Sequence, residues 1–288
     1  MPSSIRASGT SSALARAARR KPLGTFGAVI VLVLLVMAVF AEGIAPHAYD
    51  ETIRGARMKP PSTAYWLGTD NLGRDIWSRI VYGARVSVLV GFATVLLGTV
   101  VATAIGVSSG YVGGAYDLCV QRVVDAWMSF PYLVIILSVM AVLGPGLLNV
   151  VLSLALIIAA TSSRVIRGAT LAVAGQTYVE AAYATGCPHR RVIVRHILPN
   201  VMPTIIVLAT ISLGGVILAE SALSFLGFGV PPPFPSWGAM LSGSGRTYMF
   251  RAPWMAIWPG VAISVAVFAF NMLGDALRDV LDPRLRGT

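Results

Sequence analysis

The chain has 288 residues, of which 56% are hydrophobic and only 12% charged, with a mean hydropathy of +0.76. Soluble domains carry roughly twice that charged fraction, so the composition excludes a soluble enzyme or binding module and indicates an integral membrane protein. The net charge of +10 does not call for a nucleic-acid partner, because basic loops beside membrane spans and contact with anionic membrane lipid produce the same excess.

Residues 1–21 are rich in Ser, Ala and Arg, with Arg6, Arg16, Arg19, Arg20 and Lys21, and read as a basic cytoplasmic tail. Pro22–Ala41 is an unbroken apolar run of spanning length. A basic start, an apolar middle and small residues near Ala41 also fit a signal peptide, but the run is long for a signal core. Residues 42–84 are of mixed charge, contain Pro46, Pro60 and Pro61, and are expected outside the cytoplasm. Within them Leu72, Ile76, Arg79 and Ile80 share one helical face, and Trp66 and Trp77 suit a membrane interface, which predicts an amphipathic surface helix.

Residues 85–280 form the expected core. Val86–Tyr116 carries no charge and contains the second span. Ala102, Gly106, Gly110 and Gly114 recur every four residues, a spacing that lets helix backbones approach closely. Gly106-Val107-Ser108-Ser109-Gly110 matches a hydrolase nucleophile pattern but lacks the strand–turn–helix setting, and no histidine lies in a span to act as base. Asp117, Arg122 and Asp125 mark a short inner turn. Ala126–Ser163 is uncharged and too long for one span, so Gly144-Pro145-Gly146 is read as a tight outer hairpin between two. Arg164 and Arg167 return the chain to the inside, where a polar loop, 165–200, begins.

That loop is the main polar island in the apolar second half. Thr177 and Glu180 have capping-box spacing, which predicts a short helix starting there. Ala181, Ala182 and Ala184 keep it helical and thin. Gly186 suits the left-handed residue that ends a helix, and Pro188 prevents continuation. A second short helix is expected from Pro188 to Leu198, with Val192, Ile193 and Ile197 on one side and Arg190, Arg191 and Arg195 supplying charge, closed by Pro199. Such a helix–bend–helix suits docking into a groove on a partner.

Val201–Ala219 begins the fifth span, which Glu220 is expected to interrupt near its outer part. Pro231–Pro235 and Trp237 read as a rigid, partly re-entrant outer loop. Ala252–Gly274 is the sixth span. Asp275, Arg278, Asp279, Asp282, Arg284 and Arg286 close the chain inside, with 281–288 as a C-terminal tail. The bias of basic residues toward the proposed inner segments, together with an even number of spans, places both termini in the cytoplasm.

Glu180-Ala181-Ala182, three residues, Gly186, then Leu198-Pro199 resembles the cytoplasmic EAA loop of bacterial ABC-importer permeases, with His196 where that family often has Ile. Trp66 to Arg79, Leu218 to Gly227, Pro235-Ser236-Trp237-Gly238 and Asn271 to Arg284 are similar to the C-type permeases of dipeptide and oligopeptide importers. The likeness covers roughly residues 25–286 and leaves the basic tail outside. It implies an all-α polytopic membrane helix bundle of about six spans, the type I ABC-importer permease fold, in a bacterial inner membrane. It also implies a homologous permease as heterodimer partner, two ABC ATPase subunits gripping the loop from inside, and an extracytoplasmic substrate-binding protein. Glu180, Ala181, Ala182, Gly186, Arg190, Arg191, Leu198 and Pro199 would then form the ATPase-coupling loop. Peptide cargo is expected, with nickel chelates and glutathione-like compounds as alternatives.

Other chemistry is missing. Lys21 and Lys59 are the only lysines, and neither sits in a phosphate-cradling loop, so the chain is not expected to be an enzyme or to hold a cofactor. Cys187, His189 and His196 come nearest to a metal set, but their place in the loop accounts for them. Cys119 and Cys187 are not expected to pair. Glu220, with Ser221 and Ser224 beside it, has two readings. An ionisable group in a span is a functional candidate and would contact cargo along the translocation path, or it would pair with Arg246, Arg251 or a helix end and hold an outer gate. A self-contained ion-coupled transporter or channel is the rival for the whole chain, but such proteins often carry internal repeats, and none is evident.

Overall fold

The computed structural model describes residues 22–281. These fold as helices α1 (Pro22–Val39), α2 (Ala41–Ile44), α3 (Ile76–Val112), α4 (Gly114–Met128), α5 (Tyr132–Leu143), α6 (Leu147–Ala174), α7 (Thr177–Ala184), α8 (His189–Val192), α9 (Leu198–Phe225), α10 (Trp237–Met240), α11 (Arg246–Tyr248) and α12 (Trp254–Leu281). Among the described residues five helical stretches are long and apolar enough to cross a membrane, and the bent pair α4–α5 brings the number to six when it is counted as one broken span. The expected all-α bundle of about six spans is what the chain forms.

Span boundaries differ from expectation for local reasons. α3 starts ten residues before Val86, at Ile76, because extended Asp75 caps it: its carboxylate accepts from the Ser78 N–H at 2.8 Å. The amphipathic surface helix is therefore the first turns of α3. Ile76, Arg79 and Ile80 are buried there, whereas Leu72 lies outside the helix and is exposed. The expected inner turn at Asp117–Asp125 is helix α4. A break follows at Phe130-Pro131, where proline disfavours helix in the residue before it, and the chain turns by 86° into α5. At 12 residues, α5 reaches only about 18 Å, too short to span alone. α9 runs through Glu220 without interruption, and α12 continues past Gly274 to include Asp275, Arg278 and Asp279. Trp237 is fully buried in α10, not in a loop, and donates from Nε1 to the Ile80 carbonyl at 3.0 Å. Asp282, Arg284 and Arg286, like residues 1–21, lie outside the described residues.

The small-residue stripe is the α3–α6 seam. A Cβ on Gly106 would sit 2.6 Å from the Ser163 carbonyl oxygen, and one on Gly110 would sit 2.8 Å from that of Arg167. Gly98 extends the stripe against Ile158, whereas Gly114 begins the next helix and takes no part. Contact this close gains dispersion between backbones where lipid offers no hydrophobic drive. Ser108, the would-be nucleophile, lies within α3 near its C-terminal end and donates to the Ile105 carbonyl. A large apolar core gathers α1, α3, α6, α9 and α12, and a smaller one forms where residues 179–197 meet the ends of α3, α6 and α9.

Candidate functional site: a two-faced loop at one end of the bundle

The loop between α6 and α9 begins with α7. Its N-cap is Gln176, in extended conformation, and no side chain caps it. Thr177 is already helical, so the expected Thr177–Glu180 capping box does not form. The C-terminus is as the residues foretell. Gly186 has φ +75°, its N–H donates to the Tyr183 carbonyl at 2.8 Å, and the Cys187 N–H donates to that of Ala182 at 3.0 Å. This is a Schellman ending, which needs a left-handed residue at the glycine position.

Pro188 caps α8, but the second helix does not stop at Pro199. A wide turn over Ile193–Ile197, closed by the Leu198 N–H on the Ile193 carbonyl, carries the helix directly into α9. Pro199 is the second residue of α9, directly after that widened turn. Pro199 therefore opens α9 instead of ending the loop. From His189 to Phe225 the chain is one continuous rod with a widened turn near its base.

Two faces result. Val179, Val192 and Ile197 are wholly buried against Ala102, Val107, Ile166 and Val201, with Ala182 and Leu198 packed at the edge. Glu180, Ala181, Gly186, Arg190, Arg191 and Pro199 are exposed on the other face. Of the residues expected to form this site, Ala182 and Leu198 thus serve its inner packing.

Several anchoring residues were not foreseen. Tyr111, in the last turn of α3, is hydrogen-bonded through its hydroxyl to His189 Nδ1 at 2.7 Å and stacks on Tyr183 with centroids 6.2 Å apart. Tyr183 and His189 also meet edge to face at 5.8 Å. This commits one His189 ring nitrogen to Tyr111, and no group of His, Cys, Asp or Glu suited to a metal occurs among the described residues. Cys119 and Cys187 are both free. Beside the loop, Arg167 pairs with Asp117, which also accepts from Ser109, while Arg164 pairs with Asp125 at 2.6 Å. These pairs tie α4 to α6. The one sequence hint of Tyr111 was an aromatic ring near the end of a long uncharged run.

Glu220 lies toward the far end of α9 and is fully buried. Its carboxyl accepts from Ser224 Oγ at 2.7 Å and Ser221 Oγ at 3.4 Å. Arg246 and Arg251, its expected partners, are exposed and make no salt bridge with it. The neighbouring backbone is crowded: a Cβ on Gly238 of α10 would sit 2.1 Å from the Ser221 carbonyl oxygen.

Comparison with known proteins matches residues 102–287 to the family described as "Binding-protein-dependent transport system inner membrane component". Residues 13–61 match the "N-terminal TM domain of oligopeptide transport permease C". That match begins inside the basic tail, which the expected likeness left out. The chain is 38% identical over 268 residues to the dipeptide transport system permease protein DppC of Alkalihalophilus pseudofirmus, covering 93% of this chain and 88% of that protein. It is 39% identical over 275 residues to the glutathione transport system permease protein GsiD of Escherichia coli O6:K15:H31, covering 93% and 89%. Among solved structures, inward-facing MetNI, a methionine ABC transporter, matches with a TM-score of 0.58 at 18% identity, covering 72% of this chain and 97% of that one. This last likeness concerns the fold. The family placement removes the self-contained transporter or channel, and makes this a multi-pass inner-membrane protein. The chain belongs to the ABC-importer permeases, the inner membrane components of binding-protein-dependent transport systems, in the group that includes the dipeptide and glutathione permeases.

Proposed function

We propose that residues 177–200 are the seat of the ATPase subunit and that this chain forms half of a translocation path for short peptides. The observation that carries this reading is the loop's division into a buried apolar face and an exposed face bearing Glu180, Ala181, Arg190 and Arg191. A partner pushing on the exposed face displaces the bundle, because the other face is packed into it. Two ATPases drawn together by ATP would move this short rigid piece, and through the continuous rod of α9 would shift the bundle between inward-open and outward-open states. A homologous permease completes the path, a substrate-binding protein delivers cargo at the opposite end, and both termini lie in the cytoplasm.

For cargo, relatives named for dipeptide and for glutathione transport match equally well. The class they share is the short peptide in the broad sense, which includes the tripeptide glutathione, so the glutathione-like alternative stands level with the dipeptide. Glu220 is assigned the gate-holding role, since its carboxyl is spent on serine hydroxyls in the packing of α9. Uptake by the reconstituted complex, competed with dipeptides, longer peptides and glutathione, tests the cargo. Failure of all three to compete would refute it.

A further inference from the structure

At the end of the bundle away from the loop, the residues before α3 fold over its first turn, and Asp70 organises them. Its carboxylate accepts from the backbone N–H groups of Leu72 at 2.8 Å and Arg74 at 2.9 Å, and from Arg74 Nε at 2.6 Å. The buried Arg79 guanidinium lies 3.9 Å from the same carboxylate and donates from Nη1 to the Tyr49 carbonyl at 2.9 Å. One carboxylate thus serves two guanidinium groups. Among the described residues, no acceptor meets either Nη of Arg74 or the Nη2 of Arg79.

These side chains line a cavity of about 140 Å³ whose other wall is apolar and includes Pro232, Phe234 and Met255. Burying an arginine is costly unless its donors are met. In the cavity lining two guanidinium groups face the single carboxylate of Asp70, while Asp50 acts on Arg79 from beyond the lining; unfilled guanidinium donors beside an apolar wall suit a carboxylate on a short apolar stem. Basic residues are also in excess across this end. Residues 42–85 and 246–251 together hold eight Arg or Lys against five Asp or Glu. Basic residues are disfavoured in short segments outside the cytoplasm, so their accumulation at this end needs a reason. One free carboxylate on a peptide would not require a basic face, whereas an acidic protein surface would.

We propose that this cavity is a socket for an Asp or Glu side chain of the extracytoplasmic binding protein, within a basic docking face. The proposal rests on the importer reading above and on its orientation. The test uses the complete transporter in lipid nanodiscs, titrated with the binding protein that stimulates its ATP hydrolysis. Arg74→Gln is expected to raise the half-stimulating concentration about tenfold and to flatten its salt dependence between about 50 and 300 mM. Maximal stimulation and basal hydrolysis are expected to stay unchanged, and Arg74→Lys to recover part of the affinity. Phe234→Asp, at an exposed wall position that leaves Asp70 and Arg74 in place, supplies a competing carboxylate and is expected to weaken binding likewise.

Unchanged half-stimulating concentration and salt dependence in both Arg74→Gln and Phe234→Asp would overturn the socket. So would a loss of maximal stimulation at unchanged affinity, which would place the residues on the cargo's route. A wild-type complex that no binding protein stimulates would overturn the importer reading itself, and the socket with it.

Discussion

The Tyr111 hydroxyl and His189 Nδ1 lie 2.7 Å apart although 78 residues separate them in the chain. The contact joins the last turn of α3 to the base of the rod that becomes α9, and Tyr183 stacks against the same ring. α3 is also the helix seamed to α6 by glycines. A push on the loop therefore has a route into α3 that does not pass through a peptide bond. Tyr111→Phe keeps the stacking and removes the hydrogen bond, a loss of at most about 1 kcal/mol. Folding should be unaffected, while peptide taken up per ATP hydrolysed in proteoliposomes falls. Tyr111→Ala should lower the same ratio further.

Gly186 sits at φ +75° with open space around the position where a Cβ would stand. Its requirement is conformational, not steric. Gly186→Val should cost roughly 1–2 kcal/mol at that residue and realign α7 against α8, so hydrolysis continues and uptake is lost. Gly186→Asn, which tolerates the left-handed region better, should retain most uptake. Paired measurements of hydrolysis and uptake in vesicles read both outcomes.

The α3–α6 seam was legible in the four-residue recurrence of small residues, and Gly186 in the pairing of glycine with a following proline, because both requirements are local. The capping box failed because Gln176, and not Thr177, takes the N-cap position, a choice between adjacent residues that spacing does not resolve. Pro199 was read as a stop because proline is a boundary marker, but whether it closes one helix or opens the next depends on the preceding turn. Tyr111 was missed because its partner lies 78 residues away, and Glu220's serine setting because helix neighbours at i+1 and i+4 act only once the helix is known to continue.

Gly106→Val should damage the seam, since the added carbon would stand 2.6 Å from the Ser163 carbonyl oxygen. Overpacking of this kind costs about 1–3 kcal/mol or more, and a lower thermal unfolding midpoint for the purified permease would register it. Gly168→Ala is the control. Its Cβ meets nothing within 4 Å, and the helix should gain about 0.5–1 kcal/mol.

Glu220→Gln preserves an acceptor for Ser224 and should leave folded yield and uptake near wild type. Glu220→Ala leaves buried hydroxyls without their partner, at about 1–3 kcal/mol, and should reduce folded yield first. Loss of uptake by well-folded Glu220→Gln would instead place the carboxylate in contact with cargo.

The central claim is that residues 177–200 face the ATPase on the cytoplasmic side. The direct test introduces Ala181→Cys or Arg190→Cys into a chain carrying Cys119→Ser and Cys187→Ser, followed by labelling with a membrane-impermeant maleimide. The account predicts no labelling in intact cells, labelling in inverted membrane vesicles stripped of ATPase, and protection when the ATPase is added back. Labelling of either position in intact cells would contradict it.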